Sequence, residues 1–185
     1  MALLKEEARP AAEMCLAGAE PYRMGAAQVF AANLGEARFR KFCEDKLVAL
    51  FNDSSEKVRS AASRCFGEFE NDELGEHVGL VGAFIESAAF EHEHRALFFA
   101  LEKTTSKLPD ATCSACEKFF DVAGAAAADM STHAAGESYQ ASKLLIRVYG
   151  QDKTPDIQTR CLNLIDRLAK TKVLGLDEAI SDYER

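Results

Sequence analysis

Apolar residues recur at spacings of three and four along almost the whole chain, the period of an amphipathic helix, and strand-like alternation is scarce. Gly, Pro, Asp and Ser cut the pattern into segments. They predict helices near 2–17, 22–33, 36–51, 55–69, 73–88, 91–106, 110–127, 137–150, 155–170 and 176–184. Pro21 and Pro155 fall at first-turn positions, where a missing N–H is harmless. Pro109 is expected to end one helix and lead into Asp110 as the cap of the next. Pro10 is expected to kink the first helix or to delay its start to about residue 10.

One segment, "NDSSEKVRSAASRCF" at 52–66, has echoes elsewhere. The step from Arg23 to Arg59 is 36 residues, and so is the step from Arg59 to Arg95. Tyr22, Ala26, Val29 and Phe30 align with Val58, Ala62, Cys65 and Phe66, and His94, Phe98 and Leu101 keep the same apolar phase. In "QDKTPDIQTRC", Asp152 precedes Ile157 by five residues, as Asp53 precedes Val58. A period in the thirties with one helix pair per period indicates an α-solenoid. A single pair cannot bury its apolar face, so each depends on its neighbours.

The Asp-x-x-x-x-Val-Arg-x-x-Ala pattern of Asp53, Val58, Arg59 and Ala62 resembles that of HEAT-type or armadillo-type repeats. Asp152 and Ile157 match in part, with Gln158 in place of the arginine, and the echoes at Arg23 and Arg95 lack the acid. The resemblance implies that the Asp braces the turn between two helices and that the Arg ties neighbouring repeats together. It implies an all-α fold, a short right-handed α-solenoid of about nine or ten helices forming one domain over 1–185. The stretch near 124–137 breaks the period as an irregular insertion, read as a helix extension and then a loop centred on Asp129 to Gly136; it is either functional or merely solvated. Residues 174–185 are expected to cap the array, with Leu176, Ile180 and Tyr183 as the apolar stripe covering a flank around Leu164, Ile165 and Leu168.

The last 40 residues carry a second likeness. Tyr149, Gln151, Arg160, Cys161, Leu162, Leu164, Ile165 and Asp166, followed by "GLDEAISDYER", look like the C-terminal tails of large bacterial multidomain proteins in which helical repeats follow a nucleotide-binding engine. That likeness implies a sensor or scaffold portion of a larger protein. The chain has no G-x-x-x-x-G-K-[ST] of its own.

Composition narrows the function. Thirty acidic and 22 basic side chains give a net charge of −8, and the basic run Arg38, Arg40, Lys41 is diluted at once by Glu44 and Asp45. A nucleic-acid binder needs a basic footprint to neutralise phosphates, so nucleic acid is not an expected partner. No apolar run is long enough to span a bilayer, and the first ten residues do not read as a signal peptide, so a cytoplasmic, non-membrane protein is expected.

Catalytic motifs are missing: there is no G-x-S-x-G and no H-E-x-x-H. His92 and His94 lie two apart on a helix, about 200° around it, and cannot share one metal. Some HEAT-type hydroxylases hold iron through His-Glu pairs in several repeats, and this chain has the single pair His92-Glu93. His77 and His133 are expected to face solvent or bond locally. Cys15, Cys43, Cys65 and Cys161 sit in apolar helical stripes as small hydrophobes. The "CSAC" of Cys113 and Cys116 has metal or redox spacing; it is either helix packing or, with His133, a metal or redox site. The expected function is therefore a non-enzymatic scaffold or sensor that holds a protein or peptide along a helical groove, without a cofactor. The alternative is a metal-binding or redox-sensing domain built on Cys113 and Cys116.

Overall fold

The computed structural model describes residues 6–69, 71–104, 108–123, 132–170 and 176–183. They contain ten α-helices and no strand. In order these are α1 (Arg9–Leu16), α2 (Glu20–Ala31), α3 (Arg40–Leu50), α4 (Glu56–Ser63), α5 (Val78–Ile85), α6 (Phe90–Lys103), α7 (Pro109–Ala123), α8 (Thr132–Gln151), α9 (Pro155–Lys170) and α10 (Leu176–Tyr183). Each answers to one predicted segment, so the fold class is the all-α helical-repeat class that the periodicity implies. Among the described residues no helix is long and apolar enough to cross a membrane.

The boundaries differ where local chemistry overrides the period. Pro10 delays the first helix, which starts at Arg9 after a 3-10 turn at Glu6–Ala8. The predicted helix 55–69 tightens into a 3-10 turn at Arg64–Gly67, just before Glu68. The helix expected from residue 73 begins as 3-10 at Asn71–His77 and becomes α-helical only at Val78. Pro109 is the first residue of α7, and Asp110 lies inside its first turn, so Asp110 is not the cap. The expected loop centre at 129–136 is corrected in its second half. Helix α8 already begins at Thr132, because the Ala pair at 134–135 favours helix enough to carry Gly136. Residues 124–131 lie outside the described set.

The chain divides into two compact units, one of residues 1–70 with 77–97, the other of 71–76 with 98–185. In the first, α2 packs on α1, α3 and α4, and α3 packs on α4 and α5. Each of these central helices thus meets its hairpin partner and the equivalent helix of the next pair, which is how helical repeats share a core. That core is aromatic. Phe51, Phe66 and Phe84 form a triangle with ring centroids 4.7–6.1 Å apart, and Phe90 joins at 5.7 Å from Phe84. These contacts, stacked between Phe51 and Phe66 and edge-to-face from Phe84 to Phe51 and Phe90, add to what area burial already supplies.

In the second unit, α7 packs on α8 and α9, α8 on α9, and α10 on α8. Leu144, Leu145, Cys161, Leu164 and Leu168 are buried there. Of the expected apolar stripe of α10, Leu176 is half-buried. Ala179 is buried and Ile180 is 40% exposed, and α10 packs on α8. Tyr183's side chain lies outside the described residues.

Candidate functional site

The repeat positions converge on the turns between paired helices. Asp53 sits in the α3–α4 turn. Its Oδ1 accepts the Ser55 backbone N–H at 2.8 Å, an Asx turn that fixes the chain entering α4. Both carboxylate oxygens also accept from Arg23: Nε to Oδ2 at 2.8 Å and Nη2 to Oδ1 at 2.9 Å. This fork is bidentate and largely shielded, with 21% of the Arg23 side chain and 12% of the Asp53 side chain exposed. Arg23 Nη1 donates as well to the Gly18 carbonyl at 3.0 Å. Gly18 suits this close turn, since a Cβ there would stand 3.1 Å from Tyr22 Cβ. The hydrogen bond from Arg23, with the Ser55 N–H, holds the Asp53 carboxyl below its ordinary pKa despite burial.

Further ties link neighbouring turns at about the repeat spacing. Ser55 Oγ donates to Glu20 Oε2 at 2.6 Å, across 35 residues. The Ala88 N–H donates to Asn52 Oδ1 at 3.1 Å, across 36, and the Ala89 N–H to the Phe51 carbonyl at 3.0 Å. Three successive turns of the first unit are thereby joined edge to edge.

The register can be stated from the helix starts. Arg23, Arg59 and Gln158 are each the fourth residue of α2, α4 and α9. Arg59 Nη1 donates to the Asp53 carbonyl at 2.8 Å, within its own turn, and Gln158 Nε2 reaches the Tyr149 carbonyl at 3.4 Å. Arg95 is the sixth residue of α6, about 200° further round, and is exposed. Asp152 reproduces the brace of Asp53, accepting the Thr154 N–H at 2.8 Å. Val58 and Ile157, five residues beyond each acid, are both buried.

The second unit is tied by arginines whose roles the repeat pattern did not reveal. Arg160 Nε donates to Glu117 Oε1 at 2.7 Å, and its Nη2 to Ser114 Oγ at 2.9 Å, so α9 is clamped to α7. Arg147 closes the C-terminus of α6. Its Nη2 donates to the Leu101 carbonyl at 2.6 Å and its Nη1 to the Glu102 carbonyl at 2.9 Å. Helix-end carbonyls lack internal partners, and a guanidinium satisfies several at once. A lone arginine inside "KLLIRVYG" was the available signal.

Five of the six cysteines lie in the core. Cys43, Cys65, Cys113, Cys116 and Cys161 are fully buried, and all six are free thiols. Cys113 Sγ lies 3.6 Å from Cys161 Sγ, so the second partner of the CSAC pair is on α9 and not within the motif. The Cys161 thiol and burial push Cys113 upward, burial does the same to Cys65 and Cys116, and it raises Cys43 to about 11. Thiols held protonated in this way are weak nucleophiles, whereas the Cys161 thiol is shifted down by its hydrogen bond with Cys113. Among the described residues no three His, Cys, Asp or Glu side chains stand close enough to hold a metal. His133's side chain lies outside the described residues.

His77 corrects an expectation. It is buried, 3% exposed, and its Nδ1 lies 2.7 Å from Glu44 Oε1, a contact across 33 residues and not a local one. Its ring also packs on Phe69 at 4.7 Å.

Comparison with known proteins bears on the same turn. The HEAT repeat family model matches residues 45–70, which run from the last turns of α3 across the Asp53 brace and α4. No curated protein and no solved structure matches the chain. The likeness of the last 40 residues to bacterial multidomain tails gains no support. The match falls on the segment that carries the Asp-x-x-x-x-Val-Arg-x-x-Ala pattern, so the chain carries a HEAT repeat at 45–70 within an all-α helical-repeat fold.

Proposed function

We propose that this protein is a non-enzymatic scaffold that binds a protein or peptide partner on its helical surface. The HEAT repeat at 45–70 carries this reading, because such repeats generally serve as protein-interaction scaffolds. The chemistry agrees with it. The charged side chains that converge do so at a helix turn, at a helix end and between packed helices, where they bind each other or backbone. A net charge of −8 supports a protein partner over a nucleic acid. The scaffold reading includes a cytoplasmic location and work as part of a larger assembly.

Affinity capture tests it, with the full chain as bait and mass spectrometry as the readout. A recovered protein is then purified and titrated against the chain by calorimetry. The expected result is a saturable one-to-one isotherm. Failure of every recovered protein to bind in purified form would contradict the proposal.

A further inference from the structure

Between α6 and α8, within the second unit, lies an open groove of about 420 Å³ lined by Phe99, Glu102, Lys103, Lys143, Leu144 and Arg147. That is the size of a site taking one or two side chains of a ligand. Its charge runs against the rest of the chain. Three cations line it with one acid, while the whole sequence carries 30 acids to 22 bases. The acid is already engaged: Glu102 Oε1 is 3.2 Å from Lys143 Nζ, and Glu102 Oε2 accepts from Gln140 Nε2 at 3.5 Å.

Arg147 and Lys103 have no carboxylate within ion-pair distance among the described residues. All of Arg147's hydrogen bonds there run to backbone carbonyls, of Leu101, Glu102 and Thr104. Those three bonds leave two of the five guanidinium N–H groups for a ligand. The guanidinium is thus held by carbonyls at the C-terminal end of α6 and not by a carboxylate. Beside it, Phe99 is 42% exposed, and Leu144 forms an apolar floor.

We infer that this groove docks an acidic peptide segment, one carboxylate facing Arg147 and Lys103 and an apolar side chain lying on Phe99. The inference rests on the scaffold reading above and names its surface and the chemistry of its partner. A carboxylate accepts single charge-assisted bonds from the remaining Arg147 N–H groups and from Lys103, and the excess of cations steers an acidic partner toward the groove.

The test uses the full chain and a short fluorescein-labelled peptide of alternating glutamate and leucine, read by fluorescence anisotropy. The same peptide with glutamine for glutamate and a labelled single-stranded oligonucleotide are run beside it. The expected result is that the acidic peptide binds and that Lys103→Glu and Phe99→Ala each weaken it about tenfold, roughly 1.4 kcal/mol. Lys41→Glu, a cation in the first unit, leaves it unchanged. A variant that melts early is replaced by Lys103→Gln, with a smaller loss expected in the same direction. Equal binding of the glutamine peptide overturns acidic recognition but leaves the scaffold reading standing. Acidic binding indifferent to both groove variants overturns the groove alone. Binding of the oligonucleotide with no peptide bound overturns both.

Discussion

Asp53 concentrates the chemistry of the first unit in one carboxylate. It braces its own turn through Ser55 and receives the fork of Arg23 from 30 residues away. Asp53→Asn keeps the shape but gives up the charge-assisted fork. It should cost about 2 kcal/mol in chemical denaturation, the range for hydrogen bonds to charged groups. The same carboxylate predicts a pH dependence. Its folded pKa is depressed, so the unfolded chain takes up the proton first as pH falls. The stabilisation is therefore complete above the unfolded value of about 4 and disappears as pH drops through the folded one. Wild type should lose stability over that acid range more steeply than Asp53→Asn, and parallel pH profiles would contradict this. Cysteine reactivity is a second test at this scale. Cys15 is partly accessible, whereas the other five thiols are buried. Ellman's reagent should modify Cys15 quickly in the native chain and the rest only on unfolding. Modification of Cys113 or Cys116 as fast as Cys15 would reopen a redox role for the CSAC pair.

At the level of helices, the apolar period was a sufficient guide to which segments become helical, although α1 buries no residue fully. It was a poor guide to where they begin. The 3-10 close of α4 at Arg64–Gly67 and the 3-10 opening of α5 at Asn71–His77 depend on hydrogen-bond choices among a few residues. On α10, Ala179 is buried while the larger Ile180 is 40% exposed, a choice of packing that a periodicity cannot show. Helix ends also hide their partners. The carbonyls that finish α6 are satisfied by Arg147, more than 40 residues later in the chain. Arg147→Met retains much of the side-chain volume but strands those carbonyls. It should cost about 2 kcal/mol and speed amide exchange in the last turn of α6. Unchanged exchange there would mean that water serves the carbonyls equally well.

Across the chain, the 36-residue step from Arg23 to Arg59 gave the repeat its first outline, and the family match at 45–70 falls on the same segment. What the sequence could not show is which repeat each arginine serves. Arg59 turns back onto its own turn, whereas Arg23 reaches forward to the next acid. That distinction rests on the packing of α2 against α4, a contact between helices separated by α3. It also explains why Arg95, two positions out of register on α6, is exposed. The central claim is that successive helix pairs of the first unit are coupled through their turns, as a HEAT-type repeat requires. Native-state hydrogen exchange on the full chain, wild type beside Asp53→Asn, tests this most directly because it reads every helix at once. The account predicts faster exchange in both α2 and α4, although α2 is distant in sequence from the substitution. Faster exchange confined to the turn at 53–55 and the start of α4, with α2 unchanged, would contradict it.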